Sequence, residues 1–141
     1  MHDSIIRPMQ IFLIMLGSAL ALSVRAYDVT QLASGLDKPW SIAPIDGGRF
    51  LVTEKSGQLI LLGAEGSLTP ISGTPDVYFA NQGGLLEVLP DPLFSQNQTL
   101  YLSLAIGDGD ANRTSIVRGV LKGTELTQVS TLLEVSPDKQ G

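Results

Sequence analysis

Short runs of apolar and β-branched residues recur along the chain from Tyr27 onward, and clusters of Gly, Asp, Asn and Ser separate them. The clusters recur at intervals of about ten residues, and no stretch shows a sustained helical period. This pattern predicts an all-β fold. The first set of predicted strands is Trp40–Ile45, Arg49–Thr53, Gln58–Leu62 and Ser67–Ile71. A second set follows in the same order, at Gly84–Leu89, Thr99–Ala105, Ser115–Leu121 and Leu126–Leu133.

The two sets of strands suggest a repeat. They begin at Trp40 and Leu85, which are about one β-propeller repeat of 40 to 50 residues apart. We therefore interpret them as four-stranded blades, the first at about residues 27–72 and the second at about residues 73–141, with the start of the next connection. Residues 27–141 would then be the N-terminal part of a β-propeller domain. The alternative is an eight-stranded sandwich or barrel without a repeat.

The start of the chain predicts a secretory signal at residues 1–26. Arg7 precedes a mostly apolar run, Ile11–Leu22, and Val24 and Ala26 stand at the spacing that signal peptidase recognises. The run is shorter than the roughly 20 apolar residues that span a bilayer. We expect cleavage before Tyr27, secretion without a membrane span and, in a bacterium, a periplasmic location. A retained membrane anchor is the alternative.

Composition excludes several kinds of chemistry. Without residues 1–26 the chain keeps 7 basic and 13 acidic residues, a net charge of −6, which disfavours nucleic acid and anionic membranes as partners. There is no cysteine, and the only histidine, His2, lies in the predicted signal. The remaining residues therefore offer no disulfide, no ordinary zinc site and no imidazole or thiol for catalysis.

The segment FANQGGLLEVLPD places an amide, Gln82, and two glycines, Gly83 and Gly84, directly before an apolar strand. Glycines at such a position carry a backbone entropy cost, and they indicate an unusual turn or a close approach to the main chain. From the residues alone, two interpretations stay open. Gln82 could bond its own loop while the glycines form a bulge, or a ligand could approach this backbone.

Four motifs, in order and with similar gaps, resemble the soluble aldose sugar dehydrogenases that depend on pyrroloquinoline quinone (PQQ), the glucose/sorbosone dehydrogenase family. The resemblance covers nearly all of residues 35–121. The motifs are GLDKPWSIAPI at Gly35–Ile45, TEKSGQLILL at Thr53–Leu62, GTPDVYFANQGGLLEVLPDPLF at Gly73–Phe94 and LYLSLA at Leu100–Ala105.

This resemblance implies a six-bladed propeller that binds PQQ near its central axis, with calcium beside the quinone. It implies that a histidine base takes the proton from the anomeric hydroxyl of an aldose sugar while hydride passes from C1 to PQQ, which yields a lactone. Gln82 stands where the family has a cofactor-contacting glutamine. The resemblance thus makes Gln82, Gly83 and Gly84 candidate cofactor-binding residues, with the glycines letting the strand enter tightly beside the quinone.

The last residues, LLEVSPDKQG, resemble the approach to the family's histidine-bearing segment. We therefore expect no catalytic residue and no calcium ligand within these 141 residues, and we expect them to be inactive on their own. The resemblance also implies that most cofactor ligands, including the arginines and lysines that hold the quinone's carboxylates, lie beyond this chain. The alternative function is a non-enzymatic secreted propeller that binds carbohydrate or protein. A small β-sandwich adhesin is a third possibility.

Three other features are interpreted as structural. Trp40 opens a strand after a proline, so we expect it to pack in the core between blades. Glu54 and Lys55 are predicted to form a solvated hairpin end. The segment GDGDANRT, residues 107–114, resembles the start of an EF-hand loop but lacks its glutamate and flanking helices. We interpret it as a polar connection between strands.

Overall fold

The computed structural model describes residues 27–140, so the predicted signal at residues 1–26 lies outside the described residues. The described chain forms two four-stranded antiparallel sheets, β1-β2-β3-β4 and β5-β6-β7-β8, in which consecutive strands pair. The all-β prediction is confirmed. The strands of the first sheet are β1 Pro39–Ile45, β2 Arg49–Glu54, β3 Leu59–Leu62 and β4 Leu68–Ile71. Those of the second are β5 Leu85–Pro90, β6 Thr99–Gly107, β7 Asn112–Lys122 and β8 Glu125–Glu134.

A short helix that the sequence pattern did not predict, α1 at Phe94–Asn97, connects β5 to β6. The carboxylate of Asp91 holds this connection. It accepts hydrogen bonds from the Leu93 N–H at 2.9 Å, the Asn97 amide at 3.0 Å and the Tyr101 hydroxyl at 2.9 Å. These donors, the Leu93 amide first among them, hold the pKa of Asp91 below its ordinary value because they stabilise the carboxylate.

The main hydrophobic core lies between the two sheets. Alternate residues of each strand point to the same face. On the facing sides, Leu51 and Leu59 of the first sheet and Leu100, Leu102 and Leu104 of the second are almost completely buried. The alternation therefore places one row of leucines from each sheet in a shared core.

The opposite face of the first sheet has a smaller apolar cluster. Val52, Ile60 and Leu62 are buried there, and Ala33 and Leu36 from the segment before β1 pack against them. The segment before β1 therefore covers part of this face. Among residues 27–140, no helix is long and apolar enough to cross a membrane.

Polar side chains also join the two sheets inside the core. The hydroxyl of the fully buried Thr53 donates to the Leu86 carbonyl and accepts from the Ser41 N–H at 3.1 Å. The Ser41 hydroxyl in turn donates to Glu87 Oε1 at 2.6 Å and accepts from the Val88 N–H at 3.4 Å. This polar link runs from the buried Thr53 and Ser41 to the partly exposed start of β5 and satisfies backbone groups of both sheets.

The Thr53→Val variant should be less stable by about 1 to 3 kcal/mol, because an isosteric methyl leaves the Leu86 carbonyl and the Ser41 N–H without this partner. The free energy of unfolding, from chemical denaturation of the intact protein, measures the effect. Thr131→Val on the exposed part of β8 is the matched control and should change it by less than about 0.5 kcal/mol. Equal losses in both variants would show that the polar link does not stabilise the pair of sheets.

Candidate functional site

The Gln82-Gly83-Gly84 segment ends the connection between the two sheets and leads into β5. Its backbone is anchored on both sides. The Gly83 N–H donates to the Ala80 carbonyl at 2.7 Å, and the Gly84 carbonyl accepts from the Ala105 N–H at 2.9 Å. One residue later, the Leu85 N–H donates to the Lys55 carbonyl of the first sheet at 3.1 Å. The segment therefore has a fixed position where the two sheets meet.

The two glycines are required by the close approach of other backbone groups of the protein. Gly84 has a φ of +132°, and a Cβ built on it would overlap the Lys55 carbonyl oxygen. A Cβ on Gly83 would lie 2.6 Å from the Tyr78 carbonyl oxygen. The sequence predicted that the strand enters a tight space. In the structure, the groups that approach the glycines closely are carbonyl oxygens of the protein's own backbone. Contact of these glycines with a cofactor stays a prediction.

The expectation of a solvated hairpin end at Glu54 and Lys55 is wrong for Glu54. This residue is 7% exposed, and its carboxylate accepts the Asp37 N–H at 2.6 Å. Lys55 is half-buried, and its ammonium donates to the Asn81 carbonyl at 2.8 Å. This hairpin therefore holds the chain directly before Gln82, a role that the local pattern did not reveal.

The expectation that Trp40 packs in the core between blades is also wrong for the described residues. Trp40 is 48% exposed and, with Ile42 at 57%, lies on the face of the first sheet that points away from the second. The Lys55 ammonium lies 5.3 Å from the centroid of the Trp40 ring, a distance suited to a cation–π interaction. Strand alternation places Ser41 and Ala43, not Trp40, toward the shared core.

A cleft of about 180 Å³ opens beside Gln82, and the side chain of Gln82 is exposed at its edge. Within residues 27–140, the Gln82 side-chain amide has no hydrogen-bond partner. The interpretation in which Gln82 bonds its own loop is therefore not supported. Among the residues that line the cleft are Gln82, Gly83, Arg113, Thr114, Val135 and Lys139.

The opposite wall of the cleft is formed by the segment that follows β8, residues 135–139, which pairs with the start of β7. Asn112 and Lys139 exchange two backbone hydrogen bonds of 2.9 and 2.8 Å, and the Val135 N–H donates to the Thr114 carbonyl at 2.9 Å. The cleft is thus enclosed by the Gln82 segment on one side and this returning segment on the other.

The segment at residues 107–114 contains the turn between β6 and β7, as predicted. Asp108 Oδ1 accepts the N–H groups of Asp110 at 2.9 Å and Ala111 at 3.0 Å. The Ala111 bond first, and then the Asp110 bond, hold the pKa of Asp108 below its ordinary value. Within residues 27–140, no group of three or more His, Cys, Asp or Glu side chains is arranged to hold a metal ion. The Asp108 carboxylate therefore orders its own turn.

The lining residues suit one side of an anionic quinone. The Gln82 amide can donate to a carbonyl or carboxylate oxygen, and the Lys139 ammonium can pair with a carboxylate. Neither side chain is engaged elsewhere, since within the described residues the Gln82 amide has no partner and Lys139 forms no ion pair. The donors present in this cleft therefore fit the cofactor that the sequence motifs imply.

The fold and this cleft can be compared with known proteins. The model of the glucose/sorbosone dehydrogenase family matches residues 36–141. The chain belongs to the glucose/sorbosone dehydrogenase family. Its two sheets match blades of glucose dehydrogenases of known structure, so the prediction of four-stranded propeller blades is confirmed.

Particular relatives agree with this assignment. The chain is 35% identical, over 130 residues and 89% of its length, to the aldose sugar dehydrogenase YliI of Escherichia coli. A solved glucose dehydrogenase superposes on 78% of the chain with a TM-score of 0.74 and 37% identity. The PQQ-bound form of an aldose sugar dehydrogenase from Streptomyces coelicolor superposes on 77% with a TM-score of 0.67 and 27% identity.

The chain spans about a third of the length of these relatives. The shares are 35% of the Escherichia coli protein, 36% of the glucose dehydrogenase and 34% of the Streptomyces coelicolor enzyme. The chain therefore contains part of the fold that these relatives build.

The Gly84→Ala variant should lose about 2 to 4 kcal/mol of stability, because the added Cβ meets the Lys55 carbonyl as well as an unfavourable φ. Gly123→Ala is the matched control. Gly123 also has a positive φ, of +61°, but its Cβ would meet nothing within 4 Å, so its loss should be about 1 kcal/mol. Denaturation of both variants separates the two effects, and equal losses would contradict a tight contact at Gly84.

Proposed function

We propose that the protein carrying this chain is a PQQ-dependent aldose sugar dehydrogenase that oxidises aldoses at C1 to lactones. Three findings support the proposal. The chain belongs to the glucose/sorbosone dehydrogenase family. A structural neighbour with 27% identity is a PQQ-bound aldose sugar dehydrogenase. The cleft beside Gln82 offers donors that suit an anionic quinone.

The observation that carries the proposal is the unengaged amide of Gln82 at the edge of the cleft. Gly84 lets the backbone dock on the first sheet, so the backbone of Gln82 is fixed while its side chain is exposed and not used for packing. In the proposed site, this amide donates a hydrogen bond to the quinone and orients it. Lys139 on the opposite wall pairs with a carboxylate of the cofactor.

PQQ, when bound, supplies the two-electron acceptor for oxidation of the sugar. Calcium beside the quinone is part of the proposal, with its ligands assigned to residues outside this chain. Proton abstraction needs a base within hydrogen-bond reach of the sugar hydroxyl. The only histidine, His2, lies in the predicted signal, so residues 27–141 are proposed to contribute cofactor contacts and no histidine base. Residues 1–141 alone are therefore proposed to be inactive.

The Gln82→Ala variant of the intact protein should bind PQQ about threefold to a hundredfold more weakly. One polar contact contributes about 0.5 to 1.5 kcal/mol, or up to about 3 kcal/mol with a charged partner. Titration of PQQ into the apo-protein measures the dissociation constant. The melting temperature should stay unchanged, because an exposed side chain without a partner adds little to stability.

Gln96→Ala is the matched control for this experiment. Gln96 is also exposed but lies in α1, after the far end of β5, and its removal should not change PQQ affinity. An unchanged dissociation constant for Gln82→Ala would refute the contact. Absence of PQQ binding by the unsubstituted protein would refute the proposed function and favour a propeller that binds carbohydrate or protein.

Location in the periplasm is also a proposal, and it rests on the signal pattern of residues 1–26. In a bacterial host, the secreted form should begin at Tyr27, because Val24 and Ala26 mark the cleavage site. N-terminal sequencing of the periplasmic fraction measures this. An uncleaved chain recovered in the membrane fraction would contradict the proposal and favour a retained anchor.

A further inference from the structure

Arg113 holds the segment that forms the far wall of the cleft. Its Nη1 lies 3.0 Å from Glu134 Oε2, at the end of β8. Its Nη2 and Nε lie 2.8 and 2.6 Å from the two carboxylate oxygens of Asp138, four residues further along. Arg113 is the second residue of β7, and its guanidinium thus forms ion pairs near both ends of the returning segment, residues 135–139. We call this pair of contacts the Arg113 grip.

The backbone bonds of the same segment directly follow these two ion-paired residues in the sequence. The Val135 N–H and the Lys139 N–H are both hydrogen-bonded to residues at the start of β7. Pro137, at the middle of the segment, cannot donate a backbone hydrogen bond, and it lines the cleft. Three backbone bonds therefore hold the wall, and the side chain of Arg113 adds ion pairs to them.

The geometry of Arg113 makes its contacts stronger than an ordinary surface ion pair. Isolated exposed pairs contribute little, because both side chains lose entropy and water screens them. Here a planar guanidinium binds the Asp138 carboxylate in the two-bond arrangement that favours arginine over lysine. The Asp138 contact first, with help from Glu134, raises the pKa of Arg113 because both carboxylates stabilise the guanidinium charge.

We propose that Arg113 is a positioning residue for cofactor binding: by gripping Glu134 and Asp138 it fixes residues 135–139 as the wall that faces Gln82. The identity of the ligand in this statement rests on the proposed function. The grip on the wall rests on the distances alone. Arg113 itself engages both carboxylates and therefore acts on the ligand through the wall.

A purely structural role for Arg113 makes a different prediction. If its ion pairs only strengthened the β7–β8 hairpin, any arginine that links these strands would have the same effect. Arg118 provides this comparison, since its Nε donates to the Ser130 hydroxyl at 3.2 Å on the same two strands, and it does not line the cleft. Arg118→Met is therefore the matched control for Arg113→Met.

The test uses the intact protein and two readouts. The first is hydrogen exchange, which should become about two- to tenfold faster at the Val135 and Lys139 amides in Arg113→Met. Exchange at the buried Leu126, whose N–H donates to the Ser72 carbonyl, should not change, which distinguishes local loosening from global unfolding. Arg118→Met should leave all three amides unchanged.

The second readout is the dissociation constant for PQQ, titrated into the apo-protein. It should rise about two- to tenfold in Arg113→Met and stay unchanged in Arg118→Met, with Arg113→Lys between the two because a lysine keeps the charge but loses the two-bond grip. Unchanged exchange at Val135 and Lys139 would overturn the claim that Arg113 stabilises residues 135–139. Faster exchange with unchanged PQQ affinity would overturn the positioning role. Absence of PQQ binding by the unsubstituted protein would refute the proposed function, while the exchange rates still decide the grip.

Discussion

The contact between Gly84 and the Lys55 carbonyl is the constraint on which the candidate site depends. Only a residue without a Cβ permits this approach, and the same carbonyl accepts the Leu85 N–H. The second sheet is thereby docked onto a hairpin of the first at its first residue. Since Gln82 lies two residues before Gly84, this docking also fixes the backbone from which its side chain extends. The glycines thus serve the fold and, through the fold, the site.

The structure combines this docking with three further sets of contacts. The polar link around the buried Thr53 joins the two sheets, and the rows of leucines fill the space between the sheets. On the far side of the cleft, Arg113 and two backbone bridges hold the returning segment. The cleft beside Gln82 is therefore bounded by hydrogen-bonded backbone on one side and by an ion-paired, hydrogen-bonded segment on the other.

The strands could be predicted from the sequence because their signals are local. Alternation of apolar residues and the turn glycines placed all eight strands of the described chain with small errors at their ends. The helix α1 escaped prediction because four residues are too few to show a helical period. The glycines of the QGG motif predicted a close approach, but the approaching group, the Lys55 carbonyl, is 29 positions away and left no local signal.

The errors concern burial, which depends on distant partners. Glu54 is buried because the Asp37 N–H reaches it from a segment without periodicity. Trp40 is exposed because strand alternation turns it away from the shared core. The cleft itself was not predictable either, since Gln82 and Lys139 are brought together only by pairing of the β7 start with the segment after β8.

The central claim is that the Gln82 side-chain amide donates a hydrogen bond to the bound cofactor. The most direct test is the ¹⁵N resonance of the Gln82 side-chain amide, assigned by its loss in Gln82→Ala, during a PQQ titration of the intact protein. We expect this resonance to shift and to saturate in step with binding, while the Gln96 amide stays unchanged. An unshifted Gln82 amide in a protein that binds PQQ would contradict the claim and leave the QGG motif with a purely structural role.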